Sequence, residues 1–97
     1  MRFEILMSPE AIEDVRRLKA SHRSEVLDAL ETFLRHEPTK ISRSRIKRLR
    51  GTDRPQYRLR VGEVRVFYDV AGSSVEVLAI VAKSEADSWL EQFGRPQ

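Results

Sequence analysis

Residues 57–82 read YRLRVGEVRVFYDVAGSSVEVLAIVA, and this stretch decides the fold. Three runs rich in β-branched and aromatic residues are separated by Gly62-Glu63 and Gly72-Ser73. Glycine at the first central position is what a two-residue type II′ hairpin turn requires, because that position needs a positive φ. The spacing therefore predicts a three-strand antiparallel meander. The last run is almost continuously apolar, which predicts an interior strand covered on both faces.

Pairing across the first turn predicts a sheet with two chemically different faces. If Gly62-Glu63 forms the turn, Arg60 lies directly opposite Arg65. Side chains alternate along a strand, so the other face carries an apolar set for helices to cover: Tyr57, Leu59, Val61, Val64, Val66, Tyr68 and Val70. Arg58, Arg60 and Arg65 cluster beside Phe67. Opposed like charges destabilise a strand pair, so we expect the arginines to grip phosphate beside a base stacked on the Phe67 ring.

The residues just before the meander carry most of the positive charge. Nine of the 18 Lys and Arg lie in residues 40–60 against a single acid, Asp53. We expect residues 39–55 to form a basic connecting loop. A local field of one sign is typical of a polyanion-binding surface. Seven of its cations are candidates for nucleic-acid contact: Lys40, Arg43, Arg45, Lys47, Arg48, Arg50 and Arg54.

Two alternatives to this interpretation stay open. The hairpin arginines can be the solvated face of an amphipathic hairpin, neutralised by Glu63, Asp69 and Glu76. A basic face also discriminates poorly between RNA, DNA and an acidic protein partner.

Helical periodicity flanks the meander on both sides. Residues 2–7 predict an opening strand beside the last strand of the meander. Ser8 and Pro9 then begin one helix. Ser21 can cap a second helix, which Pro38 ends, and whose apolar stripe is Val26, Leu27, Leu30, Phe33 and Leu34. At the other end, Ser84 and Asp87 form a capping box for a short amphipathic helix that carries Ala86, Trp89, Leu90 and Phe93 and ends at Gly94.

Length and composition restrict the function classes. The 97 residues leave room for one domain, spanning 1–97. The absence of cysteine excludes disulfides, thiolate catalysis and Cys-based zinc sites. The only histidines, His22 and His36, lie at opposite ends of one predicted helix, so they cannot share a metal ion or pair in catalysis. There is no signal peptide and no long apolar run, so we expect a cytoplasmic α+β protein without a metal, a cofactor or a membrane partner.

The string LRGTDRPQYRLRVGEVRVFYDV, followed by VEVLAIVAKSEADSW, resembles the RelE/ParE toxins of prokaryotic type II toxin–antitoxin systems. In that family a motif "L-x-G … Y-R-[IL]-R-x-G-x-[YF]-R-[IV]-[IL]-Y" leads into a strand of the form "V-x-[VIL]-L-x-I". The resemblance covers nearly the whole chain. It implies a RelE-like α+β fold with an N-terminal strand, a two-helix hairpin, a three-strand meander in one sheet and a short C-terminal helix.

The resemblance also implies a site. In the RelE branch, which cleaves mRNA in the ribosomal A site, the catalytic cations correspond to Arg58, Arg60 and Arg65. Those ribonucleases tend to have an arginine soon after the last strand and a tyrosine near the C-terminal end. Here the matching positions read Lys83-Ser84 and Trp89-Leu90, so the tyrosine is missing. Lys83 is our candidate proton carrier, and the other candidates are Glu63, Glu85 and Tyr68.

The implied partners are a cognate antitoxin, through which oligomers form, together with the ribosome and mRNA. Trp89 and Phe93 are candidate antitoxin contacts. Without the tyrosine, two other functions remain open. One is inhibition of DNA gyrase by protein contact, as in the ParE branch, and the other is binding of RNA or a partner without catalysis.

Overall fold

The computed structural model describes residues 1–97 and confirms the predicted α+β class. Its helices and strands are β1 (Glu4–Met7), α1 (Pro9–Arg17), α2 (Ala20–Ala29), β2 (Ile46–Arg48), β3 (Thr52–Arg54), β4 (Tyr57–Val61), β5 (Val64–Ala71), β6 (Ser74–Ala82), α3 (Ala86–Phe93) and β7 (Arg95–Pro96). A π-helical turn, Leu30–Leu34, extends α2, and a 3₁₀ turn, Lys83–Glu85, precedes α3. None of the helices is long and apolar enough to cross a membrane.

The main sheet has five strands in the order β1-β6-β5-β4-β2. Strand β1 runs parallel to β6, and all the other neighbours are antiparallel. The predicted meander, the interior position of β6 and the place of β1 beside it are therefore confirmed. The hairpin register also matches the prediction, with Arg60 opposite Arg65. Gly62 has a φ of +56° and no residue other than glycine has a positive φ, which is the pattern of a type II′ turn.

Both faces of the sheet are covered, each by a different layer. The larger core lies under α1 and α2 and contains the predicted apolar face of the hairpin, with Leu59, Val66 and Tyr68 fully buried. On the opposite face α3 covers a smaller core of Leu49, Phe67, Ala79 and Ala86. A bulge in β6 shifts its pairing with β5 between Phe67 and Tyr68. This cover on both faces explains why β6 is almost continuously apolar.

The prediction that residues 39–55 form only a connecting loop is wrong. Ile46–Arg48 forms β2, an edge strand that pairs with β4, and Thr52–Arg54 forms β3, which pairs with β7 in a separate two-stranded sheet. Both strands have only three residues and no alternating pattern of their own. These strands form through contacts with residues that are distant in the sequence. Ile46 is buried in the larger core and Leu49 in the smaller one.

Two predicted helix caps and one core residue are also wrong. Helix α2 begins after Lys19 without a side-chain cap, and Arg23 instead donates to the Val15 and Leu18 carbonyls at the preceding helix end. The Ser84 capping box does not form, since the 3₁₀ turn takes its place and α3 has no side-chain cap. Leu27 is 42% exposed because α2 turns its neighbour Val26 to the core.

Gly62→Ala should destabilise the fold by about 1–2 kcal/mol, the cost of a left-handed residue with a Cβ. A Cβ at Gly62 would in addition lie 3.0 Å from Glu25 Oε1. Gly72→Ala is the matched control, since Gly72 has a φ of +59° but no atom within 4 Å of that Cβ position. Urea unfolding should show a larger loss of unfolding free energy for Gly62→Ala than for Gly72→Ala. Equal losses would mean that the Glu25 carboxylate moves aside freely.

Candidate nucleic-acid interface

The basic residues on either side of β2 and β4 surround a cleft of about 350 Å³. It lies on the sheet face opposite α1 and α2, beside the loop that enters β2. We call it the cationic cleft, and its lining is Ser42, Arg43, Ser44, Arg45, Ile46, Lys47, Arg58, Arg60 and Arg65. Six of these nine side chains are cationic and none is a carboxylate. The three hairpin arginines and three of the seven predicted loop cations are thus brought together.

Strand pairing places like charges directly opposite each other in the cationic cleft. Lys47 lies opposite Arg58 across β2 and β4, and Arg60 lies opposite Arg65 across β4 and β5. Opposed like charges weaken a strand pair. None of the six cations has an acidic partner within 4.0 Å, although seven ion pairs form elsewhere in the chain. No ion pair therefore neutralises the cations of the cleft, and a bound anion would relieve their repulsion.

Arg65 is the rigid member of the cationic cleft. It is only 7% exposed, and its Nη1 donates to the Gly62 carbonyl at 2.8 Å and to the Val64 carbonyl at 3.0 Å. Burial, followed by the positive charges of Arg58 and Arg60, lowers the pKa of Arg65. An arginine stays protonated at neutral pH even so, because its ordinary pKa is above about 12. Arg65 thus contributes a positive charge of fixed position to the cationic cleft.

Arg45 is held between the loop and the sheet. Its guanidinium carbon lies 5.0 Å from the centre of the Phe33 ring, a cation–π contact. Its Nη1 also donates to the Arg60 carbonyl at 3.3 Å, and the Arg60 N–H donates to the Arg45 carbonyl at 2.8 Å. The positions of Arg45 and Arg60 are therefore coupled. The exposed side chain of Arg60 itself has no partner in the folded chain.

Four of the predicted loop cations lie outside the cationic cleft. The guanidinium carbon of Arg48 lies 5.3 Å from the centre of the Tyr57 ring, and its Nη1 donates to the Gln56 carbonyl. Arg54 donates to Asp69 at 3.0 Å and lies 3.6 Å from Glu76, and exposed Lys40 pairs with Glu37. Arg50 is exposed and has no ion pair. A nucleic-acid role for these four residues stays a prediction.

The structure also places the aromatic residues and the candidate proton carriers. Phe67 cannot stack on a base, contrary to expectation, because it is fully buried with its ring centre 4.8 Å from that of Trp89. Tyr68 is a core residue whose hydroxyl donates to the Pro38 carbonyl, and burial raises its pKa. Lys83 is exposed and its side chain does not line the cationic cleft.

The sequence predicts Lys47 only as a loop cation. The structure puts it in the cationic cleft as the one lysine among five arginines. The alternation of buried Ile46 with exposed Lys47 was the available signal, but three residues are too few to reveal a strand. No group of three or more His, Asp or Glu side chains could hold a metal ion.

Asp69 pairs with Arg54 outside the cationic cleft. Protonation of Asp69 should change the free energy of unfolding. Burial raises the pKa of Asp69 more than the Gln56 N–H and Arg54 lower it. The folded state therefore binds this proton more tightly than the unfolded state, so ionisation of Asp69 costs stability as pH rises. Relative to Asp69→Asn, the wild-type free energy of unfolding should increase as pH falls from about 7 to about 4. A difference that moves the other way would contradict the assigned burial effect.

The family and fold of the chain follow from comparison with known proteins. Residues 5–86 match the model of the ParE toxin of the type II toxin–antitoxin system parDE. No protein of curated function matches the chain significantly in sequence.

Solved structures share the fold at low sequence identity. The archaeal RelE–RelB complex from Pyrococcus horikoshii OT3 contains a chain that superposes with a TM-score of 0.70 at 22% identity, covering 86% of this chain and 97% of that one. The RelBE2 complex from Mycobacterium tuberculosis gives 0.70 at 20% identity, with 84% and 99% covered. A mutant of the E. coli toxin RelE in the free state gives 0.69 at 18% identity, with 96% and 99% covered. Because the family model spans most of its length, the chain belongs to the ParE toxin family of type II toxin–antitoxin systems.

Proposed function

We propose that this toxin inhibits translation in the cytoplasm by binding mRNA on the ribosome and cutting it. One observation carries the proposal: two directly opposed like-charge pairs line a cleft that contains six cations and no carboxylate. Folding alone gains nothing from this arrangement, whereas a chain of phosphates would neutralise it. We expect the exposed Arg60 to hold a phosphate directly, while the fixed charge of Arg65 opposite it adds electrostatic attraction.

Cleavage by attack of the 2′-hydroxyl needs a group that takes its proton, charge stabilisation at the phosphate and a donor for the leaving 5′-oxygen. Arg58, Arg60 and Arg65 supply the charge stabilisation. The proton carrier has to be a group that can titrate, and guanidinium is a poor one. Lys47 lines the cationic cleft, whereas Lys83 lies outside it, so we transfer the proton-carrying role from Lys83 to Lys47.

We further propose that a cognate antitoxin neutralises this toxin, since several of its structural neighbours were solved as toxin–antitoxin complexes. A groove of about 810 Å³ lies between α1 and α3, and its apolar lining includes Leu78, Ala79, Trp89 and Phe93. Phe93 is 60% exposed, while Trp89 is half-buried against Phe67. We expect the antitoxin to dock in this groove, which has both apolar and charged walls and contains both predicted contact residues.

Inhibition of DNA gyrase by protein contact is the second candidate function. The matching family model is that of the ParE toxin, and no carboxylate, histidine or tyrosine lines the cationic cleft to accept a proton. A protein-contact mechanism needs no such group. The two candidates separate in direct assays, because only gyrase inhibition predicts loss of DNA supercoiling and only RNA cleavage predicts cuts in ribosome-bound mRNA.

Arg60→Ala should reduce mRNA cutting in a cell-free translation system by about 10–100-fold, since a hydrogen bond to a charged group is worth about 1.5–3 kcal/mol. Primer extension on the translated mRNA measures the cuts. Arg16→Ala is the matched control, because Arg16 is an exposed cation paired with Glu13 on α1. Wild-type toxin that leaves mRNA intact but abolishes gyrase supercoiling would replace this proposal with the second candidate.

Lys47→Arg should abolish cutting while ribosome binding stays close to the wild-type level, since the positive charge is kept and the amine proposed to carry the proton is replaced by a guanidinium, a poor proton carrier. Lys83→Arg, the same change outside the cationic cleft, should leave cutting unchanged. Sedimentation with ribosomes measures the binding, and primer extension measures the cuts. Loss of cutting in Lys83→Arg alone would return the proton-carrying role to Lys83.

A further inference from the structure

A second cavity, of about 560 Å³, adjoins the cationic cleft and shares two of its arginines. One wall is the exposed side of α2 and its π-helical turn, which contributes Glu25, Asp28 and Phe33. The other wall is the entry to β2 and the hairpin, with Arg45 and Arg60. Cavities of this size are typical of small-ligand sites, and single π-helical turns occur frequently at functional sites. We call it the α2 cavity.

The α2 cavity has an acidic wall and a basic wall that do not pair with each other. Neither Glu25 nor Asp28 has an ion-pair partner within 4.0 Å, although Arg45 and Arg60 line the same space. Their side-chain oxygens also accept no hydrogen bond from the chain. A Cβ at residue 62 would lie 3.0 Å from Glu25 Oε1, so the glycine of the turn leaves room for this carboxylate at the edge of the cavity.

A ligand that fits this cavity has hydrogen-bond donors on one side and a phosphate on the other. The Arg45 guanidinium already lies over Phe33 at 5.0 Å, which leaves its other face available for stacking. RNA-binding proteins stack single-stranded bases on arginine planes and read their Watson–Crick edges. Among the four bases, guanine alone presents two adjacent donors on that edge, its N1–H and its N2 amino group, which one carboxylate can accept together.

From this geometry we propose that the α2 cavity binds a guanine base of single-stranded RNA whose phosphate lies in the cationic cleft. Glu25 accepts the two Watson–Crick donors of the guanine, Arg45 stacks on its plane and Arg60 holds the adjoining phosphate. Asp28 adds a second acceptor on the same wall. This inference rests on the proposed RNA binding and adds a base preference to it.

Fluorescence anisotropy with labelled pentanucleotides tests the inference on antitoxin-free toxin without ribosomes. The sequences UUGUU, UUAUU and UUIUU differ in one base, and inosine lacks only the N2 amino group of guanine. Wild-type toxin should bind UUGUU about tenfold more tightly than UUAUU, the discrimination expected of a bidentate pair. Binding of UUIUU should be intermediate. The ratio of affinities within one preparation does not depend on the fraction of folded protein.

Glu25→Gln should abolish the preference for UUGUU and at the same time raise the affinity for UUAUU, because it removes a negative charge next to the RNA. Asp28→Asn should reduce the preference in part. Glu10→Gln is the matched control, since it removes the same charge from an exposed position on α1 outside the α2 cavity and should keep the wild-type ratio.

Equal binding of the three RNAs by wild-type toxin would overturn the guanine site. So would a preference that survives in Glu25→Gln, or a uniform gain in affinity for all RNAs in that variant. If in those cases Arg60→Ala still weakens binding to every RNA, the RNA-binding function stands and only the base preference fails. Absence of binding to all three RNAs would overturn the guanine site, whereas the proposed cutting of ribosome-bound mRNA is decided separately by primer extension in the cell-free translation system.

Discussion

The two-residue turn at Gly62-Glu63 determines the face of the sheet on which every side chain of β4 and β5 lies. Side chains alternate along a strand, so a slip of one residue would bring Arg58 and Arg60 into the core and Leu59 out to solvent. The observed register puts Leu59 and Val66 under the helices and puts Arg60 and Arg65 on the other face. Folding and the proposed function therefore depend on the same turn.

Residues with strong local signals were predictable, and those ordered by distant contacts were not. The hairpin turns, the alternation in β4 and the apolar run in β6 each point to one structure, and the meander formed as expected. Strands β3 and β7 have three and two residues and are mostly polar, so their pairing with each other cannot be read from either segment alone. Ser84 and Asp87 have the spacing of a capping box, but the chain forms a 3₁₀ turn at Lys83–Glu85 instead.

The residues of the candidate site also divide into those with local signals and those positioned by distant contacts. The predicted turn and the alternation of side chains put Arg58, Arg60 and Arg65 on one face of the sheet. Both are local properties of the sequence. The inclusion of Lys47 and the withdrawal of Arg54 into a contact with Asp69 depend on strands that the sequence did not reveal. The prediction that Phe67 stacks on a base is wrong because alternation identifies the face of the sheet on which Phe67 lies but does not reveal that Trp89 of α3 covers it. The acidic wall of the α2 cavity resembles an ordinary solvated helix surface until the hairpin is placed opposite it.

The opposed pairs Lys47–Arg58 and Arg60–Arg65 make the stability of this chain a function of its ionic surroundings. Their repulsion is present only when the strands are paired, because the unfolded chain separates the charges. Any anion that occupies the cationic cleft therefore binds the folded state in preference to the unfolded one and shifts the folding equilibrium by mass action. Added salt acts in the same direction by screening the charges. An anionic ligand of this cleft is thus also a folding ligand, and its affinity can be read from the melting temperature of the toxin.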